Sequence, residues 1–444
     1  MIRVAHIITD TDTGGAELML AKLVRNMDRE KFRSDVLSLL PVDNVGESLQ
    51  ADGFTVESAH MRPGLPNPAA FARIVRWLRA RRPTVVQTWM YHSDLLGGLA
   101  ARYGAGAPVL WNIRQSNLDP GVNTSSTMIA ARLCRKLSRR VPELIVCGSE
   151  AARRTHTEFG YHSERMEVIP NGFDTDVFRL DPEAAARLRS ELNIPYDALI
   201  VGLAARLDPQ KDQETFIRAA RILFEKWGGG KAGTGRTDGS GRTTSTGAAE
   251  KTGTGRTTST GGAEKTGSGR TAGPGGADKT GAGARPPVYF VMCGENIEWS
   301  NDRLRAWIGE GPEGPFGSRL RLTGRRHDLH AVYPGFDVSG TSSLGEGFPN
   351  VVGEAMACGV PCVVTDVGDS RQIVGDTGRV VPPGDPAALA AAWEEVLSMA
   401  AVERRELGAR ARQRIEDNYS MKAIARRYEE LYTRVYESFY GAEA

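Results

Sequence analysis

The chain of 444 residues carries 56 Lys plus Arg against 54 Asp plus Glu, a formal charge of +2. That near-balance argues against a dedicated nucleic-acid binder, which shows a strongly basic domain. Hydrophobic residues make up 40% of the chain, enough for packed cores. The five cysteines, Cys134, Cys147, Cys293, Cys358 and Cys362, have no CxxC spacing, against both a disulfide framework and a structural zinc site. The opening MIRVAHIITD lacks a basic segment followed by a long apolar one, so no signal peptide is expected. No apolar run approaches the roughly 20 residues that span a bilayer. These features predict a soluble, reduced, cytoplasmic protein.

Short apolar runs alternate with amphipathic helical patterns along most of the chain. Strands are expected at Ile2–Ile8, Ser34–Leu39, Thr84–Trp89, Val109–Arg114, Leu144–Cys147 and Met166–Ile169. A second series follows at Leu199–Ala205, Val288–Cys293, Leu320–Thr323, Asp337–Thr341, Cys362–Thr365 and Arg379–Val381. Helical periodicity lies between them, as at Ala16–Met27, Pro68–Arg79 and Gln213–Glu225. Continuous Val/Ile/Leu strands separated by helices predict parallel sheets covered on both faces. Two such series predict an α/β protein of two doubly wound, Rossmann-like domains, 1–170 and 171–415, facing a central cleft. The turn-rich Ile169-Pro170-Asn171-Gly172 marks the joint, and a charged helical segment, 416–444, closes the chain and is expected to pack back on the N-terminal domain.

Residues 228–286 break the pattern. Arg242, Arg256 and Arg270 recur every 14 residues, as do Lys251, Lys265 and Lys279, in a background of Gly, Ala, Thr and Ser. The repeat units hold no Leu, Ile, Val or aromatic residue, so they have no apolar face to stack. A disordered, solvated insertion within the second domain is expected.

Three motifs fall at strand-to-helix turns, where such folds bind ligands. Gly14-Gly15 follows the first strand; glycines let a ligand approach the backbone, and a helix N-terminus favours a phosphate. A tight turn needing glycine only for steric reasons is the plainer alternative. Arg206 ends a strand and Lys211 precedes a helix, so two cations stand where a diphosphate would sit; pairing with Asp208 or Asp212 is the alternative. The third runs from Glu346 through Gly347, Phe348, Pro349, Asn350 and Val351 to Glu354 and on to Pro361. Pro349 or Asn350 can open a helix and Gly359 can close it, which puts Glu346 in the loop and Glu354 inside the helix. Carboxylates that only accept hydrogen bonds suit a hydroxyl-rich ligand.

The Glu346–Pro361 string resembles the E-x7-E signature of retaining glycosyltransferases of family four, which have the GT-B fold. Gly14-Gly15-Ala16-Glu17, Ile169–Asp174, Arg206 with Lys211, and Val380–Asp385 resemble segments of that family in the same order. The resemblance implies a retaining, metal-independent, hexosyltransferase-type enzyme that moves a sugar from a nucleotide diphosphate sugar to an acceptor hydroxyl. It implies catalytic roles for Glu346, Arg206 and Lys211, with Glu346 by the donor sugar. Glu354 would hold the ribose hydroxyls, the amides from Gly347 to Val351 the sugar or phosphate, and Arg206, Lys211, Gly14 and Gly15 the diphosphate. No metal or other cofactor is expected. The triplets Asp10-Thr11-Asp12 and Asp174-Thr175-Asp176 are read as turns rather than metal ligands.

On the acceptor side, the N-terminal domain offers His92 and Asp94 after one strand and Arg114 after the next. Arg114 stands where many family members carry a His, and a phosphate on the acceptor would suit it. A carbohydrate or lipid-linked sugar acceptor, in polysaccharide or glycolipid assembly, follows from the resemblance. The cation-rich helices around Arg73–Arg82 and Arg132–Arg140 suit peripheral contact with anionic lipid at the inner face of the membrane, though a solvated face is the commoner meaning of such a run. Two other readings remain: a nucleotide-sugar epimerase of the same fold, and a non-catalytic sugar-nucleotide-binding scaffold.

Overall fold

The computed structural model describes residues 1–62, 68–121, 123–228 and 285–441. The 14-residue repeat lies outside these residues, apart from the ends of the insertion. Seven strands, β1 (Ile2–Ile8), β2 (Phe32–Ser38), β3 (Thr55–Ser58), β4 (Val85–Trp89), β5 (Val109–Ile113), β6 (Leu144–Cys147) and β7 (Met166–Val168), form a sheet ordered β3-β2-β1-β4-β5-β6-β7. Six more, β8 (Leu199–Ala204), β9 (Val288–Cys293), β10 (Leu320–Leu322), β11 (Val338–Gly340), β12 (Cys362–Thr365) and β13 (Arg379–Val381), form a second, ordered β10-β9-β8-β11-β12-β13. Every pairing is parallel. Helices cover both faces, so β4, β8 and β9 are buried along their whole length; β8 and β9 are apolar throughout, and β4 buries Gln87 and Thr88 with its apolar residues.

The strand order reverses between β1 and β4 in the first sheet and between β8 and β11 in the second. Such switch points open a crevice beyond the carboxyl ends of the strands. Gly14-Gly15 follows β1, Met90 follows β4, Arg206 follows β8 and Glu346 follows β11. The topology thus delivers four separated stretches of sequence to one region.

The chain crosses between the two lobes twice, and the crossings run side by side. The Phe173 N–H donates to the Tyr419 carbonyl at 2.8 Å, and the Met421 N–H donates to the Phe173 carbonyl at 2.8 Å. Beyond this hinge, helix Met421–Tyr440 buries Met421, Ile424, Tyr428, Leu431, Tyr432 and Val435 in the N-terminal core with Val4, Ile8, Leu20 and Trp89. A fully buried apolar side chain contributes about 1.5–3 kcal/mol, against about 1 kcal/mol for a net hydrogen bond. Apolar docking of this helix therefore dominates its attachment. Among the described residues, no helix is long and apolar enough to cross a membrane. All five cysteines are buried free thiols.

Candidate active site

A cleft of about 550 Å³ lies between the lobes, lined on one side by Gly15, Met90 and Arg114 and on the other by Arg206, Gly347 and Asn350. Helix Gly15–Asn26 starts at the N-terminal wall with Gly14 as a cap that offers no side-chain hydrogen bond. Helix Asn350–Ala357 starts at the opposite wall, and its cap Pro349 supplies none either. Both helices therefore turn free N–H groups and a positive dipole end toward the cleft. At the first of them a carboxylate has moved in. Glu17, half-buried at the cleft, is held by the amides of Ala16 and Glu17 at its own helix start; burial raises its pKa above the ordinary carboxylate value, with Asp10 and Asp12 adding repulsion.

Both cations are ion-paired, one in solvent and one withdrawn from it. Arg206 is exposed at 64% of its side chain and pairs with Asp208 at 2.8 Å, so its guanidinium reaches the cleft wall from solvent. Lys211, in the short turn Pro209–Lys211, is withdrawn behind it, with its Nζ 2.5 Å from Glu346 Oε1. Ser343 Oγ donates to the same oxygen at 2.7 Å. The loop that carries Glu346 is thereby tied to the loop after β8, and the Leu344 N–H donates to the Gln210 carbonyl at 2.8 Å. Glu354 sits one helical turn into Asn350–Ala357, where Tyr333 donates its hydroxyl to Oε2 at 3.2 Å. Burial raises the Glu354 pKa, opposed by Lys22 of the other lobe and by the Tyr333 hydrogen bond.

The middle of the string packs on the hinge. Phe348 stacks on Phe173 with ring centres 5.9 Å apart, Val351 packs partly buried on the same core, and Asn350 Oδ1 accepts from Asn171 Nδ2 at 3.0 Å. Gly347 faces the N-terminal lobe so closely that a Cβ there would lie 2.4 Å from Ser116 Oγ.

The structure departs from the expected acceptor side. Asp94 is completely buried, takes a hydrogen bond from Thr88 Oγ1 at 2.5 Å and has its pKa pushed well up by burial. It is not available to acceptor hydroxyls. His92 is half-buried on helix Met90–Leu99 and does not line the cleft; burial lowers its pKa. The reason lies in Met90, whose φ of +69° makes a sharp turn out of β4 and puts Met90, rather than His92, at the cleft wall. Arg114 does line the cleft, but its guanidinium donates to the Ile169 carbonyl at 3.1 Å, to Asn171 Oδ1 at 3.0 Å and to the Tyr428 hydroxyl. It braces the hinge against the C-terminal helix instead of standing open to a phosphate. Gln115, Ser116, Asn117 and Ser149 also line the cleft and escaped the sequence reading; only Ser149, as the cap of a helix, left a local signal.

Both Asp triplets are turns: Asp10 accepts from the Asp12 N–H at 3.3 Å, and Asp174 from the Asp176 and Val177 N–H groups at 3.0 and 3.1 Å. Among the described residues, no group of three or more His, Cys, Asp or Glu gathers to hold a metal ion.

Comparison with known proteins places this cleft in context. Residues 13–177 match the family model for glycosyltransferase family 4, and residues 282–399 match that for glycosyl transferases group 1. EpsF of Bacillus subtilis, a protein carrying a glycosyltransferase name, is 26% identical over 374 residues, which span 82% of this chain and 79% of EpsF. The D-inositol 3-phosphate glycosyltransferase of Acidothermus cellulolyticus is 25% identical over 236 residues, 47% of this chain and 50% of that protein. Among solved structures, HepE of Anabaena in complex with UDP superposes with a TM-score of 0.71 at 19% identity, covering 98% of this chain and 100% of HepE. With two glycosyltransferase family matches, one on each lobe, and two parallel Rossmann-like sheets flanking a cleft, the chain is a glycosyltransferase with the GT-B fold.

Proposed function

We propose that the enzyme transfers a hexosyl group from a nucleotide diphosphate sugar to an acceptor hydroxyl with retention of anomeric configuration and without a metal, in polysaccharide or glycolipid assembly. The observation that carries this reading is the convergence on one cleft of Arg206, Gly347 and two helix starts whose cap residues offer no side-chain hydrogen bond, with the Lys211–Glu346 pair joining the loops that carry Arg206 and Gly347. In this reading residues 171–415 bind the donor and residues 1–170 the acceptor. The diphosphate lies against Arg206 and the amides at Gly14-Gly15, with Lys211 adding positive potential as charge develops on the leaving nucleotide. These cations take the place a divalent ion would otherwise fill. Glu346 and the amides from Gly347 to Val351 face the sugar, and Glu354 the ribose. HepE has been crystallised with UDP-glucose, which supports a UDP-sugar as the first donor to try.

A lipid-linked acceptor would bring the enzyme to a membrane surface. Helix Ser125–Leu137 exposes Ile129 and Leu133, one turn apart, at 54% and 41%. Arg132, Arg135, Lys136, Arg139 and Arg140 surround them, with no acidic residue from Ser125 to Arg140. Sedimentation with anionic but not neutral vesicles, lost in Ile129→Ser/Leu133→Ser, is the expected result; no sedimentation with either would remove the membrane from the reading.

The test of the donor site is a thermal-shift panel of UDP, GDP, ADP and their sugar conjugates with EDTA throughout. A ligand at about 100 times its Kd stabilises the fold by roughly 2.7 kcal/mol. Response to one nucleotide class in EDTA supports the donor site, and the anomeric coupling of the product then reports retention. No response to any nucleotide overturns it.

A further inference from the structure

Helix Glu150–Phe159 of the N-terminal lobe begins at the cleft, and its first amides are divided between two caps. Ser149 Oγ accepts from the Ala152 N–H at 2.9 Å, as an ordinary cap does. The two N–H groups before it point across the interface. Glu150 N–H donates to Asp369 Oδ2 at 2.7 Å, and Ala151 N–H donates to Asp369 Oδ1 at 2.9 Å. Asp369 belongs to the C-terminal lobe, immediately before helix Ser370–Val374, and is 3% exposed. A carboxylate using both oxygens on the positive end of a helix in a buried setting makes strong, charge-assisted hydrogen bonds.

The same residue grips the Glu346 loop from behind. The Asp369 N–H donates to the Gly347 carbonyl at 3.0 Å. Gly368, at φ +56°, presses on the loop so closely that a Cβ would lie 2.5 Å from the Glu346 carbonyl oxygen. One dipeptide therefore touches the opposite lobe through a carboxylate and the loop of Glu346 through its backbone. Gly347 meets Ser116 of the N-terminal lobe on the other side of that loop.

We propose that Asp369 is a positioning residue for the transfer reaction: it fastens the loop of Glu346 and Gly347 to the N-terminal lobe, so that the loop is set for chemistry only while the lobes are engaged. This rests on the reading that the donor sugar lies against that loop. Separating the lobes to admit or release a nucleotide breaks both cross-lobe hydrogen bonds, and re-engagement remakes them. The contact thus acts on turnover more than on nucleotide affinity, because Asp369 touches none of the groups proposed to hold the nucleotide: Arg206, Glu354 and the Gly14-Gly15 amides.

Two variants attack the contact from opposite sides. Asp369→Asn replaces one accepting oxygen with an amide group that faces an N–H. Glu150→Pro deletes one of the two donors at the first helical position, where proline is tolerated and the preceding Ser149 is already extended. Glu150→Ala, which keeps the N–H, is the control and should retain wild-type rates. Hydrogen exchange at residues 150 and 151 of the ligand-free protein should accelerate at least roughly ten-fold in Asp369→Asn, with β4 and β8 unchanged. With the nucleotide sugar selected by the thermal-shift panel, each variant should lower kcat roughly ten- to a hundred-fold. Its Kd for UDP should change less than about three-fold, and the double variant should be no worse than the worse single one. Unchanged exchange at 150–151, or wild-type kcat in both variants, overturns the proposal. A wild type that binds no nucleotide sugar fails the donor reading instead, and the exchange measurement still decides the contact.

Discussion

Lys211 Nζ lies 2.5 Å from Glu346 Oε1, joining residues 135 positions apart in sequence, next to Gly347 of the cleft wall. Ser343 Oγ converges on the same oxygen, and among the described residues the second oxygen of Glu346 takes no hydrogen bond. The pair is largely withdrawn from water, with the two side chains 21% and 11% exposed. A neutral amide in place of the carboxylate can still accept from Lys211 and Ser343, and Lys211 keeps some access to water, so loss of the charge costs the fold little.

Glu346→Gln preserves shape and deletes the charge. In the donor-site reading, kcat/KM should fall at least roughly 100-fold, about 2.7 kcal/mol of transition-state stabilisation. The melting temperature should move by only a few degrees, as about 1 kcal/mol of stability implies for a protein of this size. Steady-state kinetics beside a thermal melt checks this. Wild-type-like turnover in the variant removes Glu346 from the donor site.

Glu17 holds a carboxylate on the Ala16 and Glu17 amides, beside the Gly14-Gly15 amides that the diphosphate is proposed to use. Glu17→Gln removes that competing charge, so UDP should bind more tightly by roughly 1 kcal/mol, about five-fold in Kd, at low salt. Calorimetric titration at low and high ionic strength measures it. Unchanged or weaker binding would show that Glu17 supports the site rather than competing for it.

Asp94 gives the fold a pH signature. Its pKa is raised by burial, so the folded protein keeps a proton that the unfolded chain releases near its ordinary value. Between those two values the folded state binds more protons. Stability therefore falls as pH rises, by at most about 1.4 kcal/mol per pH unit from this group. Urea melts of wild type and Asp94→Asn from about pH 4 upward should show the variant's curve lacking that decline. Parallel curves would refute the assignment.

The insertion joins helix Gln213–Lys226 to β9, which starts at Val288 and pairs with β8 from Leu199 onward. Such a connection needs only a handful of residues, typically about 2–6. Replacing residues 229–285 with a short Gly/Ser linker should leave UDP affinity within about two-fold and the melting temperature within a few degrees. Loss of binding in a folded deletion variant would assign the repeat a role at the site.

The alternation of strands and helices was legible because a buried parallel strand and an amphipathic helix each write their period into local sequence. β3 escaped for the same reason: Thr55–Ser58 is a four-residue edge strand with one fully buried side chain, too short and too polar to leave a pattern. Gly14-Gly15, Arg206 with Lys211, and the Glu346–Glu354 string were legible as residue types suited to phosphate and hydroxyl groups at strand ends. What the chain could not announce locally is how those ends meet. Arg114 is committed to Tyr428, 314 residues away, and Asp369 to Glu150 and Ala151, 219 and 218 residues away. Such pairs exist only because two crossings at Phe173 and Met421 lay one lobe against the other. Met90, too, faces the cleft because of a backbone angle rather than its side-chain chemistry. Short-range periodicity decided which elements form and which residues stand at their ends, while the docking of the two lobes decided which of those residues share a site.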